Sequence, residues 1–372
     1  MLFIPHKHFY ISGTSYVSAD EPDYKEVITD ANSRRRMGRL LKMAVWCGLK
    51  SLDGVPSERV AGIITSTGAG FMKDTISFGS SIFDREETLL NPSPFMQSTF
   101  NTASGYIALI RKIHAYNTTY VQRADGFAAS LVDAAMLLDD AGEGNVALVG
   151  AFDEVTPEVD VIRQRLGLYR VGDGFLPLGE GAAAFLLSAA MPTDGSGSCR
   201  ATESSAGPGG GDGSESDSWR DGYEAGSESA SERDGDANSE CSTVPLLESE
   251  SASWPCDESG SESSSEPLHD SGGTSSRSLN GTKDGNADLR FCGLANLSDL
   301  PKCAGNPIAE LFGINACVNV ISCADHVESL GAFRSLLPVL LCKLISEQQI
   351  PDGYTAIVDD VNEDGVIVLL HK

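Results

Sequence analysis

The chain reads as an α/β protein, with strands and helices alternating in layers and a long acidic insertion breaking the pattern. Three observations predict this. Val60 to Thr65 (VAGIIT) and Asn145 to Phe152 (NVALVGAF) are continuous apolar runs, as in strands buried on both faces. Phe127 to Leu138 (FAASLVDAAMLL) is an Ala/Leu-rich helix of the kind that packs closely on such strands. Between Met191 and Asp288 the composition turns to Ser, Gly, Glu and Asp, with too few apolar groups to offset the entropy of ordering, which predicts disorder.

The elements follow in order. Phe9 to Val17 (FYISGTSYV) is predicted as a strand running into a turn. Arg34 to Leu52 has apolar residues at helical spacing (Met37, Leu40, Leu41, Ala44, Val45, Leu49) and is predicted as one helix. Its arginines would then stand at the end that the helix dipole disfavours. The Gly-rich STGAG follows the Val60 strand, and Pro92 and Pro94 mark a loop. Asn101 to Ala115 is predicted helical, Thr118 to Val121 a short strand, and Gly181 to Leu187 a buried strand. After the insertion, Leu289 to Ala295 and Val318 to Ser322 are strand-like. Leu330 to Ile345 has a helical pattern, with Pro338 near its middle predicting a kink or two shorter helices. Tyr354 to Asp359 and Gly365 to Leu370 are predicted to pair as a hairpin across NEDG.

Charge narrows the function classes. The 372 residues hold 27 Lys+Arg against 53 Asp+Glu, a net of -26. The stretch from Met191 to Asp288 carries 21 acids and 5 bases, so -16 of that total sits there. Such a balance excludes nucleic acid as the main partner and adsorption to anionic membranes. Nine cysteines without a CxxC pair predict reduced thiols and no zinc site. The N-terminus lacks a secretory apolar core, and the longest apolar run, Leu336 to Cys342, is too short to cross a bilayer. The expectation is a cytoplasmic protein without metal or cofactor. Its parts would be 1–190, the acidic insertion 191–288, and a shortened C-terminal part 289–372.

Several segments, taken in order, resemble the β-ketoacyl synthase (condensing enzyme) family: ISGTSYVS, RRMGRLLKMA, NTASGYIAL and YNTTYV. GDGFLPLGEGAAAFLL at Gly172 to Leu187 is similar to the family's DGFVxGEGAG motif, through Asp173, Gly174, Phe175, Gly179, Glu180 and Gly181. The resemblance implies a thiolase-like layered fold of mixed sheets. It also implies a Cys-His-His site, in which a thiolate at a helix N-terminus is acylated while two histidines serve decarboxylative condensation.

This sequence departs from that site. The nucleophile position before FAASLVDAAMLL falls on Ala124, with Asp125 the off-by-one alternative, and an alanine cannot be acylated. The first histidine has no counterpart, and Glu328 occupies the second position, with His326 two residues away. His326 beside Asp325 and Glu328 could be a general base with an orienting acid, or a polar cluster capping the next helix. Cys317 and Cys323 could be displaced nucleophiles or buried hydrophobes. The glycines of the motif could serve close approach of strands. Arg34, Arg35, Arg36, Arg39 and Lys42 form a basic strip, either a solvated helix face or a docking surface for an acidic acyl carrier protein.

The resemblance therefore implies a degenerate condensing enzyme: a non-catalytic, chain-length-factor-like partner of an active β-ketoacyl synthase subunit, dimeric, in fatty-acid or polyketide-type chain extension. An acyltransferase using His326 or Glu328, and a scaffold recruiting through the acidic insertion, are the alternatives.

Overall fold

The chain is seen as a computed structural model describing residues 1–122, 125–142, 144–190, 289–302 and 305–372. The acidic insertion, with its expected disorder, lies outside the described residues. The first part runs β1 (Leu2–Phe3), β2 (Phe9–Val17), α1 (Ala31–Arg36), α2 (Arg39–Ser51), β3 (Val60–Thr67) and α3 (Met72–Asp84). It continues through α4 (Pro92–Ser98), α5 (Thr102–Arg111), β4 (Tyr116–Val121), α6 (Asp125–Ala141), β5 (Val146–Asp153) and α7 (Pro157–Leu166). A small hairpin of β6 (Arg170–Val171) and β7 (Gly174–Phe175) leads to β8 (Gly181–Ser188). After the insertion come β9 (Arg290–Asn296), α8 (Pro307–Leu311), β10 (Val318–Ser322), α9 (Val327–Leu330), α10 (Leu336–Ser346), β11 (Tyr354–Val358) and β12 (Val366–His371).

The main strands line up as β10-β11-β12-β9-β2-β8-β5-β3-β4, with β1 on β9. In the N-terminal half β3 is parallel to β4 and β5, while β8 is antiparallel to β5 and β2. In the C-terminal half β10 is parallel to β11, and β12 is antiparallel to β11 and β9. Outward from each half's long first strand the order matches: β2-β8-β5-β3-β4 against β9-β12-β11-β10. The C-terminal half is one strand shorter.

Burial explains the layering. α2 and α5 pack on one face of the N-terminal strands through Leu41, Val45, Ala103 and Ile107, against Leu148, Ala184 and Leu186. The opposite face meets α6 and α10, and α10 also packs on the C-terminal strands, in an apolar cluster that includes Ile357, Val368 and Leu370. α8 covers the outer face of the C-terminal strands with Ile308. Helices thus cover the strands on both faces, the layered arrangement that the resemblance implies.

Several expectations need correction. The helix predicted over Arg34 to Leu52 is two helices, broken at Met37–Gly38. The Gln97 side chain clamps this break, donating to the Arg36 carbonyl and accepting from Gly38 N–H at 3.0 Å. Arg34, Arg35 and Arg36 therefore lie in the last turn of α1, the end where cations are favoured. Pro92 and Pro94 open a helix, because Pro is tolerated in a first turn and Asn91 caps it through Ser93 N–H. Pro338 causes no kink: α10 starts at Leu336, so the proline sits in its first turn. The break falls earlier, at 331–335. α3 and α7 are elements the sequence reading passed over.

Candidate functional site

The parallel strands β3 and β5 end side by side, and their ends build a polar junction. β3 runs into the Gly-rich turn at 66–70, and β5 ends on Asp153, a fully enclosed carboxylate. Asp153 Oδ1 accepts from Thr67 Oγ1 (3.0 Å), Gly68 N–H (2.9 Å) and Ala69 N–H (3.2 Å). Its Oδ2 accepts from Ser335 Oγ at 2.5 Å, at the start of α10. Burial pushes this carboxyl upward, and the hydrogen bonds from Ser335, Gly68, Ala69 and Thr67 oppose it. One side chain thus ties the glycine turn of the N-terminal half to α10. Sequence reasoning missed Asp153, although an acid closing a fully apolar strand was the available signal.

The motif at 172–181 makes the second junction. Gly179 N–H donates to the Ala332 carbonyl (3.2 Å), and Ala332 N–H donates to the Pro177 carbonyl (2.7 Å). The two backbones nearly touch. A Cβ on Gly179 would lie 1.9 Å from the Leu330 carbonyl oxygen, and one on Gly331, at φ +76°, would lie 2.3 Å from Gly179 N. These glycines permit an approach that any other residue forbids. Gly181 is likewise crowded, with Val17 O at 2.9 Å from its Cβ position. Glu180 pairs with Arg39 and accepts from Val155 N–H at 3.2 Å. Asp173, Gly174 and Phe175 are exposed on the small hairpin, with Arg163 4.8 Å from the centre of the Phe175 ring.

The remaining sequence-singled residues are scattered. Ala124 lies outside the described residues, and Asp125 opens α6. The start of α6 is beside β3: a Cβ on Gly126 would stand 3.6 Å from Ser66 Cβ. His326 precedes the one-turn helix α9, and Glu328 within it is exposed. Burial holds the His326 imidazole below its usual range, aided by Lys343 and opposed by Asp325 and Glu347. His326 thus responds to the later turns of α10. Lys343 lies eight residues beyond Ser335, about 12 Å along a helix axis. The structure does not gather His326 with the Asp153 junction.

Cys317 is exposed, which corrects the buried alternative for it, whereas Cys323 is buried and its thiol is pushed well up by burial. Cys47 and Cys342 are buried with the same upward push, and Cys292 is raised to about 11 by burial. High thiol pKa values disfavour the nucleophilic form. Among the described residues no group of His, Cys, Asp and Glu is placed to hold a metal ion. No helix among them is long and apolar enough to cross a membrane.

The basic strip divides. Arg39 is held between Glu21 and Glu180. Arg34 and Arg35, with Lys42 and the unforeseen Lys25, line an open cleft of about 310 Å³ that also touches Glu21, Asp23 and Tyr24. Arg36 is exposed beside it. Beyond the cleft, the N-terminal half presents an apolar surface. β4 is the outermost strand and exposes Tyr116 and Val121, and Phe83, Leu89, Phe95, Met96, Phe100 and Leu109 on and beside α3, α4 and α5 are exposed as well. No residue of α3 is buried.

Comparison with known proteins fits this geometry. Residues 15–165, about two fifths of the chain, match the family model described as beta-ketoacyl synthase, N-terminal domain. No curated protein sequence matches. Among solved structures, the ishigamide ketosynthase/chain length factor aligns over 99% of this chain and 98% of its own, at 12% identity and a TM-score of 0.52. This likeness establishes the thiolase-like ketosynthase fold. A ketosynthase in complex with its chain length factor from Xenorhabdus doucetiae aligns over 49% of this chain and 79% of its own, at 16% identity and TM-score 0.37. A beta-ketoacyl synthase from Burkholderia phymatum STM815 aligns over 49% and 59%, at 15% identity and TM-score 0.41.

Proposed function

We propose that this chain, which over residues 15–165 matches the family model of the beta-ketoacyl synthase N-terminal domain, is a non-catalytic partner of an active ketosynthase, in the manner of a chain length factor. The reaction served is acyl-chain extension of the polyketide or fatty-acid type. One observation carries the reading: no cysteine occurs between Cys47 and Cys199, so the segment before Phe127 offers no thiol to acylate. The described cysteines sit elsewhere, and three of them are fully enclosed.

Two surface features support the partner role. The uncharged edge strand β4 (YNTTYV), with Tyr116 and Val121 exposed, and the exposed apolar side chains of α3, α4 and α5 are features that pairing would cover. The cleft lined by Lys25, Arg34, Arg35 and Lys42 is the docking place we assign to an acidic acyl carrier protein, since opposite charges steer encounter.

The test is incubation of the purified chain with acyl-thioesters, followed by intact-mass and peptide mapping, alone and with a ketosynthase from the same source. The expected result is no adduct on the segment 121–129 and co-elution with the ketosynthase. A stable adduct on that segment, or thioester turnover by the chain alone, overturns the reading.

A further inference from the structure

The cleft beside α1 is shaped for something smaller than a protein. It holds about 310 Å³, at the small end of the range for small-molecule sites. Two turns of helix, about 10 Å across, need roughly twice that space or more. A docking protein therefore covers the mouth of the cleft, and its interior suits a small ligand. Lys25 enters from the 3-10 turn Tyr24–Glu26, Arg34 and Arg35 from the last turn of α1, and Lys42 from the first turn of α2. Arg34 and Lys42 are half-buried, and Lys25 and Arg35 are exposed. None of the four enters an ion pair among the described residues. Arg34 is held in place, its Nη1 donating to the Ile28 carbonyl and, at 3.4 Å, to the Thr29 carbonyl. That occupies one nitrogen of the guanidinium and leaves the others as donors. The two acids of the lining are already engaged: Glu21 pairs with Arg39, and Asp23 accepts from Lys25 N–H at 3.0 Å.

We propose that this cleft is a small-molecule site, which takes a diphosphate group on Lys25, Arg34, Arg35 and Lys42 and, while filled, keeps an acidic carrier protein from docking there. The cations come from three elements, so the ligand must present oxygens in several directions. A carboxylate offers two oxygens in one plane. A diphosphate offers oxygens on two linked centres, and the arginine fork matches phosphate geometry. The lining sets Lys25, Arg34, Arg35 and Lys42 against Glu21 and Asp23, in a chain of net charge -26. A polyanion therefore meets attraction here that the acidic remainder of the chain does not offer. The binding stands on the cleft alone. The exclusion rests on the carrier-protein assignment made above, since two polyanions cannot share one set of cations.

Calorimetric titration of the full chain tests this with inorganic pyrophosphate, ADP, orthophosphate and sulfate, all at an ionic strength of about 0.15 M so that screening is constant. Pyrophosphate should bind saturably, roughly tenfold or more tightly than orthophosphate or sulfate. ADP separates the sources of the group: binding tighter than pyrophosphate supports a nucleoside diphosphate, and weaker binding supports a free one. Arg35→Gln and Lys42→Gln should each weaken pyrophosphate roughly tenfold. Arg165→Gln, which removes an exposed arginine on α7, should leave it unchanged. Pyrophosphate should also displace a fluorescently labelled acidic carrier protein from the same source. Pyrophosphate binding no tighter than sulfate, or binding that survives intact in both Arg35→Gln and Lys42→Gln, overturns the site. A carrier protein that stays bound at saturating pyrophosphate overturns the exclusion and leaves the site standing. A carrier protein that never binds overturns the docking assignment, and the exclusion with it, while the pyrophosphate titration still decides the site.

Discussion

The two halves order their strands alike, yet they are filled by different residues. In the N-terminal half, β8 contributes Ala182, Ala183 and Ala184, and α6 contributes Ala128, Ala134 and Ala135, all buried. In the C-terminal half, α10 buries Leu336, Leu337, Val339, Leu340 and Leu341, and β12 buries Val366, Ile367, Val368, Leu369 and Leu370. Small residues let backbones approach, and large ones fill a wider gap at the same packing density. The surfaces differ in the opposite sense. The N-terminal half exposes many large apolar side chains, among them Phe83, Leu89, Phe95 and Met96, whereas Val320 is the one large apolar side chain exposed among the described residues after the insertion. The shorter half spends its apolar residues inside. The longer one has enough left over to build an interface.

The comparison is broken most sharply where the halves cross. Gly179→Ala should cost about 3 kcal/mol or more, because its Cβ would meet the Leu330 carbonyl, and backbone cannot step aside as a side chain can. Gly174→Ala, with Val171 O at 3.9 Å as its nearest contact, should stay within about 0.5 kcal/mol. Urea denaturation of both variants separates them. Equal midpoints would mean that the crossing does not join the halves.

Asp153→Ala comes next. It would strand two amide N–H groups and two hydroxyls, at about 2–3 kcal/mol. Ser335→Ala removes one of those four donors and should cost about 1 kcal/mol. If the two variants are equally mild, Asp153 holds α10 alone and not the glycine turn. Comparing their denaturation midpoints with wild type measures this difference.

Most of the layered architecture was legible because its signals are local. Unbroken apolar runs such as VAGIIT and NVALVGAF have little choice but a doubly covered strand, and FAASLVDAAMLL has little choice but a helix. Breaks that depend on a distant partner were not legible. The Met37–Gly38 break is held by Gln97, about 60 residues on in sequence. α3 was passed over although its apolar residues recur at helical spacing; Met72, Ile76, Phe78 and Ile82 are only half-buried. The candidate site divides in the same way. The vacant thiol is a composition fact readable from the chain. The roles of Asp153 and Lys25 arise only when loops from both halves, or from separate turns, are brought together.

The smallest expected effect on stability is the most informative about the surface. Phe95 is half exposed, 5.1 Å from Phe78 by ring centres, and Met96 and Leu89 lie further out. Replacing Leu89 and Met96 together with Ser removes apolar area that already faces water, so folding should change by less than about 0.5 kcal/mol. Pairing should respond strongly, because the same area would be the part of an interface that leaves water on association. Val320→Ser, at the edge of the C-terminal half, is the matched control: an exposed apolar side chain on an outer strand of the other half. Light scattering and co-elution with a ketosynthase should show assembly lost in the Leu89→Ser, Met96→Ser double variant and kept in Val320→Ser. Loss of assembly in Val320→Ser alone would move the interface to the shorter half. Assembly that survives in both variants would leave the exposed apolar side chains at Leu89 and Met96 without the role that their composition argues for.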